Sequence, residues 1–481
     1  MDGNTIQPVN NTSSLHDAFQ TDPSHALNSM GQIPIDRSVL KTLLKLSYPG
    51  DMIGGLKRLL FYAVAATLLT GCAVEPPPGV SPDLLSAKAG ADPARSLELM
   101  REQGERFAHR PFLAGNQATL LINGPASFAA LAEAIRSART RIDMESYEFD
   151  DTAGGQFADI LLAARRRGVE VNLIYDAWGA NGTSAALFER LRQGGVRVLE
   201  YNPLHPNGRV PVAVNARDHR KLLCVDGKVA ITGGVNISRV YENAPGLQSA
   251  DPQEKAWRDT DVRIEGPVVA QFEHFFMETW RGQKGPALAD PPPPPPVPGG
   301  LMVQAIDGAP DNGQPLIYRT LLASIALAQN SVHLTTGFFV PTPDLVHALQ
   351  AAARRGVDVQ VIVPGRSTSD AAVAAGRSKY GDLLEAGVKL HEFQGRVLHA
   401  KTAVIDGAWS AVGSSNLDWR STVWNNEIDA IILGPGFGGQ MEAVFQADIA
   451  ASKMIDLVAW RRRGLGERMR EVKAKLVERL L

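Results

Sequence analysis

Two cysteines in 481 residues, Cys72 and Cys224, are too few for a disulfide framework. Cys224 lies in an apolar run and reads as a buried, inert thiol. An excess of charge of one sign is also lacking: 49 Lys and Arg face 51 Asp and Glu, a net charge of −2. No basic field therefore points to nucleic acid as a partner. No close grouping of His, Cys and Asp has the spacing of a metal site, so neither a metal nor a cofactor is expected. The apolar run at residues 59–69 falls short of the roughly 20 residues that a membrane-spanning helix needs. At 44% hydrophobic, the chain still has enough apolar material for a large core and at least two domains.

The beginning of the chain reads as a targeting segment. Residues 1–51 are polar, rich in Asn and Ser and without a sustained period, which fits a disordered extension. Lys57 and Arg58, the apolar run after them and the small residues before Cys72 have the order of a signal peptide over 52–71. A signal peptide starting there points to Met52 as the true first residue, with 1–51 untranslated. Leu69-Thr70-Gly71-Cys72 resembles a bacterial lipobox, which implies a diacylated Cys72 and a lipoprotein on the extracytoplasmic face of a bacterial membrane. The alternative is a short helix that happens to end in Gly-Cys. Ala73, where retention signals carry Asp, permits transfer to the outer membrane. Residues 72–110, opening with the Pro-rich stretch 75–82, read as a tether.

The chemistry is concentrated in residues 215–238. These contain His219-x-Lys221-x4-Asp226, followed by Gly233-Gly234-x-Asn236. Residues 222–225 and 229–232 read as two short buried strands joined by a turn at Asp226-Gly227. Alternation along a strand puts His219 and Lys221 on one face. An imidazole beside an ammonium suits a phosphate, since one group attacks it and the other holds its charge. A lone pair of this kind is weak. A second copy changes its weight: His399-x-Lys401-x4-Asp406, followed by Gly413-x-x-Asn416. The surroundings repeat too, with 163–171 matching 352–359 and 259–267 matching 427–435. The chain thus consists of two repeats, each carrying half of one site.

The duplicated motif with its trailing Gly-x-x-Asn resembles the phospholipase D superfamily. Residues 217–236, 257–260, 399–403 and 412–416 are most similar to bacterial cardiolipin synthases, over a span of roughly 116–460. The resemblance implies two homologous α/β domains of α-β-α sandwich type related by a pseudo-twofold axis. It also implies catalysis through a phosphohistidine, with His219 as nucleophile and His399 as acid. Lys221 and Lys401 are then expected to hold the phosphate oxygens, helped by Asn236 and Asn416. Asp259 and Glu427, which the repeat aligns, are the carboxylates expected to orient the histidines. Asp226 and Asp406 complete the motif at strand-turn ends, where a structural role is expected. The implied partners are membrane phospholipids: phosphatidylglycerol, with phosphatidylethanolamine as a further candidate. Hydrolysis to phosphatidic acid, a nuclease and an inactive lipid-binding scaffold are the competing readings.

From residue 118 strands and helices alternate, which suggests a mostly parallel sheet covered by helices in each of two domains, 111–288 and 301–459. The polyproline stretch within 289–300 reads as a semi-rigid linker. Residues 147–149 and 338–341 end strands on the catalytic side, as candidates for an apolar acyl entrance or for core packing. Residues 460–481 place Leu465, Met469, Val472, Leu476 and Leu480 at helical spacing beside Arg461, Arg462 and Arg463. Such a helix lies on an anionic membrane or packs its stripe onto the second domain.

Overall fold

The computed structural model describes residues 92–204, 215–242, 256–290, 294, 296–308, 315–475 and 478. The extension 1–51, the signal peptide 52–71, Cys72 and the first part of the tether lie outside the described residues. Helix α1 (Pro93–Ala108) corrects the tether expected up to residue 110. Asp92 caps it, accepting from the Ala94 amide at 3.0 Å, and Met100 is buried among side chains of the second repeat.

The first repeat runs β1 (Leu113–Ile122), α2 (Asn123–Ser137), β2 (Arg141–Ser146), α3 (Ala153–Arg166), β3 (Glu170–Asp176), α4 (Ala185–Gln193), β4 (Arg197–Tyr201), β5 (Arg217–Asp218), β6 (Lys221–Val225), β7 (Val229–Gly233), β8 (Thr260–Glu265) and α5 (Val269–Gly282). The second runs β9 (Leu301–Gly308), α6 (Leu316–Leu327), β10 (Ser331–Thr335), α7 (Pro343–Arg354), β11 (Asp358–Pro364), α8 (Asp370–Arg377), α9 (Tyr380–Glu385), β12 (Lys389–Phe393), β13 (Thr402–Ile405), β14 (Trp409–Gly413), α10 (Trp419–Val423), β15 (Asn425–Leu433), α11 (Pro435–Ala450) and β16 (Ser452–Met454). Two helices, α12 (Leu457–Arg461) and α13 (Leu465–Lys475), follow.

Read outward from the β1–β9 pairing, the sheet gives one order twice. It is β1-β8-β7-β6-β2-β3-β4 on one side and β9-β15-β14-β13-β10-β11-β12 on the other, with β16 added at an edge. This is the internal symmetry expected of the duplication. The expectation of a mostly parallel sheet does not hold. Apart from isolated bridges such as Phe149–Ile237 and Phe339–Leu417, parallel pairing is confined to β2-β3-β4, β10-β11-β12 and the short β5–β15 contact, and the remaining strand pairs are antiparallel. Helical crossovers impose parallel neighbours only where they occur, whereas β6-β7 and β13-β14 are hairpins.

The motif strands are apolar on both faces because both are covered. In β6, Leu223 and Val225 face a cluster with helices α2, α3 and α4. Leu222 and Cys224, one residue out of phase, face a cluster shared by both repeats, with Phe272, Phe275 and Phe276 of α5 and Val404, Val412 and Ile428 of the second repeat. Cys224 is a free buried thiol, as expected, pushed up in pKa by burial.

Each motif aspartate closes the hairpin that follows its histidine. Asp226 and Asp406 adopt left-handed φ of 56° and 51°, and Gly227 and Gly407 follow at 66° and 64°. The Asp406 carboxylate accepts from the Gln329, Asn330 and Ser331 amides at 2.9, 2.7 and 2.9 Å, and Asp226 does the same for Arg139, Thr140 and Arg141 at 2.8, 2.8 and 2.9 Å. These aspartates are pins between strands, remote from the histidines' ring atoms. Asp406→Ala is expected to lower stability by about 2 kcal/mol, seen as a lower denaturant midpoint with activity per folded molecule retained. Activity lost from a fully folded variant is the contrary result.

Candidate active site

Main-chain pairing brings the two motifs together. The His219 amide donates to the Asn426 carbonyl at 2.9 Å, and the His399 amide donates to the Arg258 carbonyl at 2.7 Å. Each contact lies one residue before a carboxylate of the other repeat. The pairing is therefore crosswise. His219 Nδ1 lies 3.0 and 2.9 Å from the two carboxylate oxygens of Glu427, and His399 Nδ1 lies 2.7 Å from Asp259 Oδ2. A carboxylate at Nδ1 fixes the ring and leaves Nε2 for chemistry.

Asp259 and Glu427 are fully buried. Burial alone would raise their pKa values, but the histidine and lysines beside them more than offset it and hold both below the ordinary range. Glu427 also accepts from Ser414 Oγ at 2.5 Å and Ser421 Oγ at 2.7 Å. In the first repeat Tyr241 stands where the second has Ser421, five residues after the motif asparagine. Its hydroxyl lies 3.0 Å from His399 Nδ1 and 3.3 Å from Asn236 Nδ2. Tyr241, Ser414 and Ser421 escaped the sequence reading; the matching offset from Asn236 and Asn416 was the available signal for Tyr241 and Ser421.

Burial pushes His219 down to about 4 and His399 to about 3, with Glu427 and Asp259 opposing and the lysines assisting. Burial therefore favours the neutral form of both rings, against the pull of the two carboxylates. Lys221 Nζ donates to the His219 carbonyl at 2.5 Å, and Lys401 donates to the His399 carbonyl. Burial lowers the pKa of both lysines, to about 7 and about 8.

A cavity of about 310 Å³ opens over this cluster. His219, His399, Asn236 and Asn416 line it, as do Tyr147, Glu148, Trp257, Phe338, Arg420 and Asn425. The lysines stand behind the histidines and are not part of that wall. Of the strand-end aromatics, Tyr147 and Phe338 reach the cavity, whereas Phe149 and Phe339 are core residues. No group of His, Cys, Asp and Glu among the described residues has the arrangement of a metal site.

Two α/β repeats about a pseudo-twofold axis, each giving one His-x-Lys motif to a single cavity, define a member of the phospholipase D superfamily. A family model described as cardiolipin synthase, PLD-like domain, matches residues 131–246 and 321–449, once in each repeat. The chain is 32% identical over 382 residues to a probable cardiolipin synthase of Bacillus subtilis (strain 168), covering 78% of this chain and 74% of that protein. It is 34% identical over 351 residues to cardiolipin synthase A of Pseudomonas aeruginosa, covering 72% of this chain and 70% of that protein. The chain belongs to this cardiolipin synthase family. Among solved structures, phosphatidylserine synthase of Haemophilus influenzae shares the fold, with a TM-score of 0.55 at 15% identity, covering 79% of this chain and all of that one.

Proposed function

We propose that this protein is a phosphatidyltransferase that makes cardiolipin from phosphatidylglycerol and a second phospholipid through a phosphohistidine. The observation that carries the reading is the pair of imidazoles on one cavity, each held at Nδ1 by a buried carboxylate of the opposite repeat. A phosphodiester is anionic and needs a nucleophile, an acid for the departing alcohol and positive charge around phosphorus. One Nε2 attacks phosphorus while the other, protonated, gives its proton to the leaving glycerol. The second imidazole then takes a proton from the hydroxyl of the acceptor lipid. Lys221 and Lys401 supply positive field from behind the rings, with the amides of Asn236 and Asn416 beside the phosphate.

We further propose a membrane-facing chain anchored through a lipidated Cys72, with α13 against the bilayer. No helix among the described residues is long and apolar enough to cross a membrane. Of the apolar stripe, Leu465, Met469 and Val472 are exposed and Leu476 and Leu480 lie outside the described residues, while Ala474 is buried against Val340, Ala372 and Ala375 of the second repeat. Arg461, Arg462, Arg468 and Arg470 are exposed around that stripe, a combination suited to anionic lipid.

The test is a product assay with labelled phosphatidylglycerol vesicles and no added metal. Cardiolipin and glycerol in equal amounts are expected. Phosphatidic acid as the sole product would make the protein a hydrolase, and turnover of DNA without turnover of lipid would remove the lipid reading.

A further inference from the structure

The two halves of the site are backed unequally. In the second repeat a cavity of about 50 Å³ lies between helix α6 and strands β10, β13, β14 and β15, and Lys401 and Asn416 belong to its wall. In the first repeat the matching space, walled by Lys221 and Asp261, is about 20 Å³. The duplication allows a comparison position by position. Leu223 pairs with Ile231 across the β6–β7 hairpin, and Ala403 pairs with Ala411 across β13–β14. Leu223 and Ile231 line the smaller space, Ala403 and Ala411 the larger one. Two methyl groups thus stand where the first repeat has two branched side chains, and close packing at that place is given up. The residue before the motif asparagine also changes, from Val235 in one wall to Ser415 in the other.

An empty space in a purely apolar core stays dry, but this one has polar walls. Buried polar atoms are normally hydrogen-bonded. Trp409 Nε1 and Asn416 Oδ1 lie on residues of this wall, both at least nine-tenths buried, and have no hydrogen-bond partner among the described residues. Lys401 and Asp429 add a donor and an acceptor. One water needs about 10–15 Å³ and two to four polar partners. By that measure the second-repeat chamber has room for about three waters and the first-repeat space for about one.

Asn416 is also a wall of the catalytic cavity, so one side chain is shared by the chamber and the reacting centre. We propose that the chamber behind Lys401 and Asn416 binds a small cluster of water and supplies the water that competes with the acceptor lipid for the phosphohistidine. The inference rests on the phosphatidyl-transfer reading and adds to it the residues that set the leak to phosphatidic acid. The oxygen that completes the reaction arrives in line, on the side of phosphorus away from the P–N bond. With His219 as nucleophile, as the resemblance implies, that side belongs to His399 and the second repeat, where the chamber lies. Lipid entering the catalytic cavity displaces the water there and leaves the cluster behind Asn416 in place.

In the competing step the water oxygen forms a new P–O bond. The P–N bond breaks with its electron pair returning to the imidazole that held phosphorus. One proton of the water passes to the opposite imidazole, and phosphatidic acid leaves. Acceptor lipid and water therefore divide one intermediate between them.

The experiment compares the full chain with Ala403→Leu and Ala411→Ile, each of which gives the second repeat the residue that the first already accommodates. Neither alanine lines the catalytic cavity. Long-lived internal waters are counted by ¹⁷O magnetic relaxation dispersion without substrate, and each variant is expected to lose about two. Products are then measured at surface-dilute phosphatidylglycerol, where acceptor lipid is scarce and the leak is measurable. Each variant is expected to lower the ratio of phosphatidic acid to cardiolipin by about fivefold, with cardiolipin per folded enzyme retained. An unchanged water count overturns the site, and a lower count with an unchanged or raised ratio overturns its role. Ala403→Val and Ala411→Val add less bulk and are expected to move both readings the same way, so they decide the matter where a larger side chain prevents folding. Absence of cardiolipin from the wild-type protein would remove the transfer reading and the competition with it, while the substrate-free count still decides the water site.

Discussion

Alanine at His219 or at His399 is expected to lower cardiolipin formation from phosphatidylglycerol by about 10⁴-fold or more, measured as labelled product per folded enzyme. Neither the phenol, the ammonium groups nor the amides of the site can replace either ring as nucleophile. Burial pushes the Tyr147 phenol far up, so it is no nucleophile at neutral pH. Lys221 and Lys401 direct their ammonium groups at histidine carbonyls behind the wall. Asn236 and Asn416 carry no titratable proton. Because nucleophile and acid act as one unit, the double variant is expected to lose little more than either single one. A single variant keeping more than about a tenth of the wild-type rate is incompatible with two-histidine chemistry.

The second large effect lies one shell out. Glu427→Gln and Asp259→Asn are each expected to lower turnover by about 10²-fold, the usual cost of losing the partner that orients an imidazole. The signature is crosswise. In imidazole ¹⁵N spectra, Glu427→Gln is expected to move the His219 signals and leave those of His399, and Asp259→Asn to do the reverse. Signals that follow the repeat in which the carboxylate resides would contradict the observed 2.9 and 2.7 Å contacts. Glu427 also anchors Ser414 and Ser421, so its variant is expected to be the less stable of the two.

Local features were legible in the sequence. The His-x-Lys spacing, the Asp226-Gly227 and Asp406-Gly407 turns and several helices of each repeat depend on residues close in the chain, whereas the helices Val269–Gly282 and Pro435–Ala450 were passed over. Aligning the repeats also found Asp259 and Glu427. It could not tell which histidine each one serves, because that depends on how the repeats dock. Tyr241 was hidden for a related reason: it aligns with Ser421, a residue of different size, and its hydroxyl meets the His399 ring whereas Ser421 donates to the Glu427 carboxylate. Strand direction was misjudged because helical crossovers announce themselves by periodicity, whereas β1–β8 and β9–β15 pair across long separations. Helix α1 was passed over because its partners, around Leu327, lie more than 200 residues away. The outward stripe of α13 was legible as a stripe, but its direction depends on what the rest of the chain leaves uncovered.

The crosswise carboxylates set a schedule for activity. His219 is unsupported until Glu427 has been made, some 200 residues later, and has been folded against it. A first repeat emerging alone therefore carries the motif without an oriented imidazole. A second repeat alone carries His399 without Asp259. Neither repeat alone therefore holds an oriented pair of imidazoles, and the complete site exists only once the two repeats have docked.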